Sequence, residues 1–193
     1  MTITINGSGT LSGISTGGIS DTKAITNAAV PAGSIVQVVT AESDTSHSNT
    51  SDTYTDIGLS ASITLSNANN KVLILGSINY LVKRNYYQTW AGYRLLRGTT
   101  EIQKGPDGVS GGDDKAFEIG FTQSNNDTYA ELAGRYNTHV VDAPGSVGAH
   151  TYKFQSAQKS SSATPVIITN VPNTSSTSGA DPKSYITLME ITV

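Results

Sequence analysis

From Ser34 onward the chain reads as short stretches of alternating apolar and polar residues divided by turns. SIVQVVT (34–40) is rich in β-branched residues, which suit a pleated strand. The polar run AESDTSHSNTSD then reads as a loop. YTDIGL and SITLS follow as two short strands, with Ile63 and Leu65 on one face. In NKVLILGSINYLVKR, Val72, Ile74, Ile78, Tyr80 and Val82 share one face, and Leu73, Leu75 and Leu81 share the other. A strand apolar on both faces sits in the middle of something, so this one is expected to lie between the body and a neighbour. WAGYRLLRGTTEIQKG predicts a hairpin: Tyr93 and Leu95 on one face, Arg94 and Leu96 on the other, and a turn at Arg97-Gly-Thr-Thr. KAFEIGFT, TYAELAGRYNTHVVD, AHTYKFQSAQ, TPVIITNV and SYITLMEITV complete the set. In the last, Tyr185, Thr187, Met189, Ile191 and Val193 alternate with Ile186, Leu188, Glu190 and Thr192, so the terminus should be locked into a sheet. About nine or ten evenly spaced strands and no long helix predict an all-β protein. The expected body, residues 34–193, is a jelly-roll-like antiparallel β-sandwich.

Ahead of that body the pattern is different. TITINGSGTLSGISTGGIS (2–20) spaces single apolar residues with Gly, Ser and Thr, a density of glycine that no helix tolerates. DTKAITNAAVPAG could form one or two helical turns, with Asp21 as N-cap and Pro31 as stop. Residues 1–33 therefore read as an extended arm that reaches on the order of 110 Å if fully drawn out. Ile3, Ile5, Leu11, Ile14 and Ile19 are too sparse to build a core, so they are expected to anchor the arm on a partner's surface.

Composition narrows the function. Charged residues are 14% of the chain, against roughly 25% in an average soluble protein. Low charge suits a surface that is buried between subunits, because an unpaired buried charge is costly. The net charge of −3 argues against a nucleic-acid partner, which requires a basic patch. There are no cysteines, so there is no disulfide framework and no thiolate metal site; this fits assembly in a reducing cytoplasm. No stretch reaches 18 apolar residues, so no membrane-spanning segment is expected, and the N-terminus lacks the basic flank and apolar run of a secretory signal.

Motifs for chemistry are sparse. His139 and His150, with Asp142, could imitate a metal or base site, while His47 lies in a Ser/Thr/Asn loop; no ligand motif surrounds any of them. Asp107, Asp113 and Asp114 sit among glycines as calcium ligands can, but their spacing is not that of an EF-hand. Glu101, Glu118 and Glu131 supply carboxylates without a motif for a glycan hydrolase. The expectation is no enzyme activity and no cofactor. Tyr80, Tyr86, Tyr87, Trp90 and Tyr93 are concentrated within fourteen residues, beside Lys83-Arg84. Rings with polar tips serve a core, a subunit interface or a glycan platform; Tyr86, Tyr87 and Trp90 are the candidates for interface or glycan contact.

INGSGTLSGISTGG resembles the openings of tailed-phage structural proteins, and DAPGSVGAHTYKFQ (142–155) resembles a segment of the jelly-roll heads of phage fibre and decoration proteins. YRLLRGTTEI and YITLMEI are similar to strands of the same heads. The resemblance implies a virion protein, a homotrimer with a jelly-roll head, displayed on the virion surface after assembly in the host cytoplasm. The arm meets the body with no shaft of heptads or repeats between them. That favours a capsid decoration, or cement, protein bound to the major capsid protein or another virion protein. The alternative is the head of a short tail fibre that binds a host-surface glycan.

Overall fold

The computed structural model describes residues 30–51, 53–84, 89–103, 117–121, 130–160, 166–170 and 183–193. They form eleven strands: β1 (Ile35–Ser43), β2 (His47–Asn49), β3 (Thr55–Leu65), β4 (Lys71–Arg84), β5 (Thr89–Arg97), β6 (Thr100–Gln103), β7 (Phe117–Phe121), β8 (Ala130–Asp142), β9 (Gly148–Ser160), β10 (Val166–Thr169) and β11 (Ser184–Ile191).

The long apolar strand β4 organises the first sheet. One edge pairs with β8 from Val72↔Asp142 to Arg84↔Ala130. The other edge is shared: β11 takes Lys71–Ser77 and β10 takes Tyr80–Lys83. β1 then adds to β11, and β2 to β10. In the second sheet β9 lies between β3 and β5, while β6 and β7 share the far edge of β5. All of these pairings are antiparallel. The order β1-β11-β4-β8 in one sheet and β3-β9-β5 with β6 and β7 in the other is the winding of a jelly roll. The expected all-β sandwich is therefore what the chain forms.

Two local differences have physical causes. The two short strands expected over 54–65 are one strand, β3, carried through a register shift between Asp56 and Ser60 where Gly58 adopts a φ of +76°. A glycine at positive φ lets a bulge bend the strand without ending it. The polar run read as a loop holds the end of β1 and all of β2. β2 is held by side-chain amides rather than by apolar alternation. Asn49 Nδ2 donates to the carbonyl of Ser156 at 2.6 Å, and Asn49 Oδ1 accepts from Ser51 N–H at 2.8 Å.

The core lies between the sheets. Ile57, Leu59, Ile63 and Leu65 of β3 meet Val72, Ile74, Ile78 and Val82 of β4, with Tyr93, Leu95, Tyr152, Phe154, Ile186 and Leu188 filling the remainder. Each such side chain contributes about 1.5–3 kcal/mol on burial. Tyr93 and Tyr136 stack at 5.8 Å between ring centroids, and the Tyr93 hydroxyl shares a 2.9 Å hydrogen bond with Thr169 Oγ1. Burial pushes the Tyr93 hydroxyl far above the usual phenol range, although the Thr169 bond works against the rise.

Two residues near the C-terminal end tie distant segments to this core. Glu190 is buried, and its Oε1 accepts from Ser66 N–H at 2.8 Å, Ser66 Oγ at 2.6 Å and Asn70 Nδ2 at 2.7 Å, pinning the β3–β4 turn to β11. Thr192 Oγ1 donates to the Pro31 carbonyl at 2.7 Å and accepts from Ser34 N–H at 3.0 Å. Backbone bonds Gly33 N→Thr192 O (2.8 Å) and Thr192 N→Ser34 O (3.0 Å) complete a clamp on the segment that leads into β1.

Three outcomes test this account. A Cβ on Gly76 would lie 2.5 Å from Phe154 Cζ, so Gly76→Ala should cost on the order of 1–3 kcal/mol, read as a fall in thermal midpoint of several degrees. Thr192→Val leaves the Pro31 carbonyl and Ser34 N–H without that partner and should cost about 1–2 kcal/mol in urea unfolding. Burial alone would raise the Glu190 carboxyl, but the donors from Ser66, Asn70 and Asn67 outweigh it and hold the group below its usual value of 4.5. Its contribution is thus complete above pH 4.5 and lost as pH falls through the lowered value. Urea midpoints measured down through that range should fall less steeply in Glu190→Gln than in the parent.

Candidate interaction surface

The two outer faces of the sandwich differ in kind. On the β3-β9-β5 sheet, Arg94 of β5 donates through Nε (2.8 Å) and Nη2 (2.6 Å) to Gln155 Oε1 and through Nη1 to Glu101 Oε2 (3.1 Å). Gln155 Nε2 passes on to Asp56 Oδ1 at 2.6 Å, and Lys153 Nζ reaches Asp56 Oδ2 at 2.9 Å. The Arg94 guanidinium lies 4.2 Å from the centre of the Tyr54 ring. Partial burial would raise the Asp56 carboxyl, but the bonds from Lys153 and Gln155 and the charges of Lys153 and Arg94 hold it below the usual carboxylate range. On this face Arg94, Glu101, Lys153 and Asp56 are paired across strands, although Glu101 Oε1 is buried without a hydrogen-bond partner.

The outer face of the β1-β11-β4-β8 sheet is built otherwise. Alternation in β11 turns Ser184, Ile186, Leu188 and Glu190 inward and leaves Tyr185, Thr187, Met189 and Ile191 outward. Register aligns Val38 with Met189, Met189 with Leu73, and Leu73 with Val141. An apolar row thus crosses all four strands, about 15 Å at the usual strand spacing. Val38 is 55% exposed and Val141 57% exposed at its two ends. The next row, Thr40, Thr187, Leu75 and His139, holds no carboxylate, lysine or arginine, with Leu75 exposed. Ile35 and Val36 extend the apolar surface at the start of β1, beside Ile191. Lys71 beside Ile191 and the Glu42–Lys183 pair border this apolar surface, and a contiguous apolar surface on one face marks an interaction site.

The sequence candidates fall unevenly on this frame. Ile3, Ile5, Leu11, Ile14, Ile19, Tyr86 and Tyr87 lie outside the described residues, as do Asp107, Asp113 and Asp114. Trp90 is placed by its backbone on β5, paired with Lys159 and Gly120. Tyr80 and Tyr93 belong to the core, so the aromatic concentration does not act as one platform. The face of β4 formed by Val72, Ile74, Ile78, Tyr80 and Val82 is the core face, as the alternation implied. Of the three residues read on its other face, Leu73 and Leu75 lie on the outer surface, whereas Leu81 is buried.

The histidines are not brought together. His47 (β2) shares a 3.1 Å hydrogen bond with Thr55 Oγ1, and His150, on β9 of the second sheet, lies 2.9 Å from the carbonyl of Ser146 in the loop before that strand. His139 faces outward from β8, whereas Asp142, three residues on, accepts from Arg97 Nη1 at 2.6 Å and the Tyr152 hydroxyl at 2.7 Å. Burial first, and then the Asp142 charge, keep the Tyr152 hydroxyl protonated. Among the described residues no three His, Asp or Glu side chains cluster as metal ligands would. No helix among them is long and apolar enough to cross a membrane. The chain matches no protein-family model and no curated protein.

Because Val141 projects from the sheet, Val141→Lys should change unfolding free energy by no more than about 0.5 kcal/mol while lowering the fluorescence of a bound hydrophobic dye.

Proposed function

We propose that this chain is a non-enzymatic structural protein of a phage virion. In this reading it is a homotrimeric capsid decoration protein whose arm, residues 1–33, laces the jelly-roll body onto neighbouring subunits of the shell. The observation that carries the reading is the junction between arm and body. The clamp at Thr192 delivers the segment leading into β1 to the border of an apolar face. A surface of that kind on a sheet that has already closed its own core suits a protein packed against others. Each ordered arm residue costs about 1–2 kcal/mol of backbone entropy, so one arm holds weakly. Three arms on one trimer act at high effective concentration and hold together.

A second reading keeps the virion but not the shell: the head of a short tail fibre that binds a host glycan. It is favoured by a hollow of about 430 Å³ on the same face, lined by Leu75, Ser77, Asn137, His139, Tyr185 and Thr187. Amide, hydroxyl and imidazole groups beside a ring suit a sugar.

Labelled full-length protein located on intact particles by electron microscopy separates the two, the shell being expected. Changing Ile3, Ile5, Leu11, Ile14 and Ile19 together to Ser should leave the thermal midpoint unchanged and abolish binding to particles that lack the protein. Undiminished occupancy by that variant would remove the arm as the anchor. Specific retention on a glycan array that Tyr185→Ala or Trp90→Ala abolishes would instead establish the fibre-head reading.

A further inference from the structure

β1 is an edge strand of unusual composition for its position. Among the described residues it pairs with β11 alone. Its first seven residues, Ile35-Val-Gln-Val-Val-Thr-Ala41, contain no charge, proline or glycine. Natural sheets blunt their edges with charge, bulges or brevity, since an open row of N–H and C=O groups invites another strand. The other edges here show those devices. β8 carries Glu131, Arg135 and Asp142. β3 has Asp56 and the Gly58 bulge. β2, β6 and β7 are three to five residues long. β1 has a register shift at its very start, between Ile35 and Gln37, and a charge only near its far end, where Glu42 is paired with Lys183. Seven uncharged residues of high β propensity without proline form a segment that seeks a partner strand.

We propose that the open edge of β1 receives the Thr2–Asn6 segment of a neighbouring copy of this chain as an added strand. The inference rests on the reading of the arm as the anchoring element and names one of its partners. Thr2-Ile-Thr-Ile-Asn6 has the period of a strand, apolar residues on one face and hydroxyls on the other. Beside β1 with its isoleucines outward, the segment continues the row Val38–Met189–Leu73–Val141 by one strand with one of Ile3 and Ile5, and the other adds to the neighbouring row. The chain also reaches the body at this border. Pro31–Ser34 form a turn closed by Ser34 N→Pro31 O at 3.2 Å, with Gly33 at a φ of +85°. Val30 then lines a hollow with Ile35, Val36, Gln37, Thr64, Ser66 and Glu190 along the seam between β1 and β3. Length favours a neighbour's edge over a tight hairpin on the copy's own. Residues 7–29, 23 in number, separate Asn6 from Val30. A hairpin onto its own β1 needs a connection of about 2–5 residues, whereas 23 extended residues reach roughly 75 Å, enough for the next copy.

The absence of native cysteine makes the test direct. In the full chain, Ile5→Cys, whose side chain shares the outer face with Val38 and Thr40 in the proposed pairing, is combined in turn with Val36→Cys, Val38→Cys and Thr40→Cys, and each is oxidised and sized without reductant. At least one pair is expected to give covalent assemblies of several copies that reductant dissolves, where Ile5→Cys alone gives at most dimers. A disulfide closed within one chain would assign the arm to its own edge and overturn the proposal. So would the absence of a cross-link in all three variants, provided circular dichroism shows them folded. As a second measurement, Val38→Lys in the full chain should at least halve the mass found by sedimentation at a fixed concentration, with the thermal midpoint unchanged. An unaltered mass would also overturn the proposal. Binding to particles is scored separately: cross-linked copies that fail to bind particles count against the decoration reading only, and binding without cross-links counts against the strand exchange only.

Discussion

The sandwich depends on β11 entering between β1 and β4. Without it the first sheet falls into pieces, because β1 has no other partner among the described residues and half of one β4 edge is left open. The strand also brings Ile186 and Leu188 to the core and Glu190 to the β3–β4 turn, and Thr192 follows it to the clamp on Pro31 and Ser34. One segment therefore supplies ladder, core and polar anchors together. That coupling explains why its alternation is so regular: a shift of one residue would exchange the buried Glu190 bonds for solvent and turn Met189 into the core.

The same alternation accounts for the contrast between the outer faces. A sheet that closes one core needs only one apolar face, and the β3-β9-β5 sheet follows that rule, spending its outer positions on the Arg94–Gln155–Asp56 network. The β1-β11-β4-β8 sheet does not: Val38, Met189, Leu73 and Val141 lie outward where polar residues would have sufficed. An apolar residue outward on every strand of a row is a cost to the isolated chain and an asset to an assembled one.

Much of this was legible in the residues. Period-two alternation placed the core face of β4, the hairpin of β5 and β6, and both faces of β11, because each of these strands has water or a neighbour on one side and the core on the other. The two-sided apolar pattern of β4 pointed to the open face that Leu73 and Leu75 occupy. β2 was not legible, since Asn49 anchors it through an amide and polar residues carry no periodic signal. The unity of β3 was hidden by Gly58, which as easily ends a strand as bends one. Edge status was also hidden: the uncharged run of β1 reads the same in a central strand, and only the pairing order shows that β11 is its one partner among the described residues. Tyr80 and Tyr93 were counted with Tyr86, Tyr87 and Trp90 because proximity in sequence does not tell which way a ring points.

The lateness of β11 in the chain has a consequence for synthesis. Leu75 of β4 pairs with Thr187, 112 residues further along. At about 5–20 residues per second, a ribosome leaves that β4 edge waiting for roughly 5–20 s before its partner emerges. Through the last part of that interval β8 covers the other edge, yet the nascent chain still displays one open edge on a strand that is oily on both sides, the kind of target that folding helpers grip. Any such helper would have to let go before the final strand can slot home.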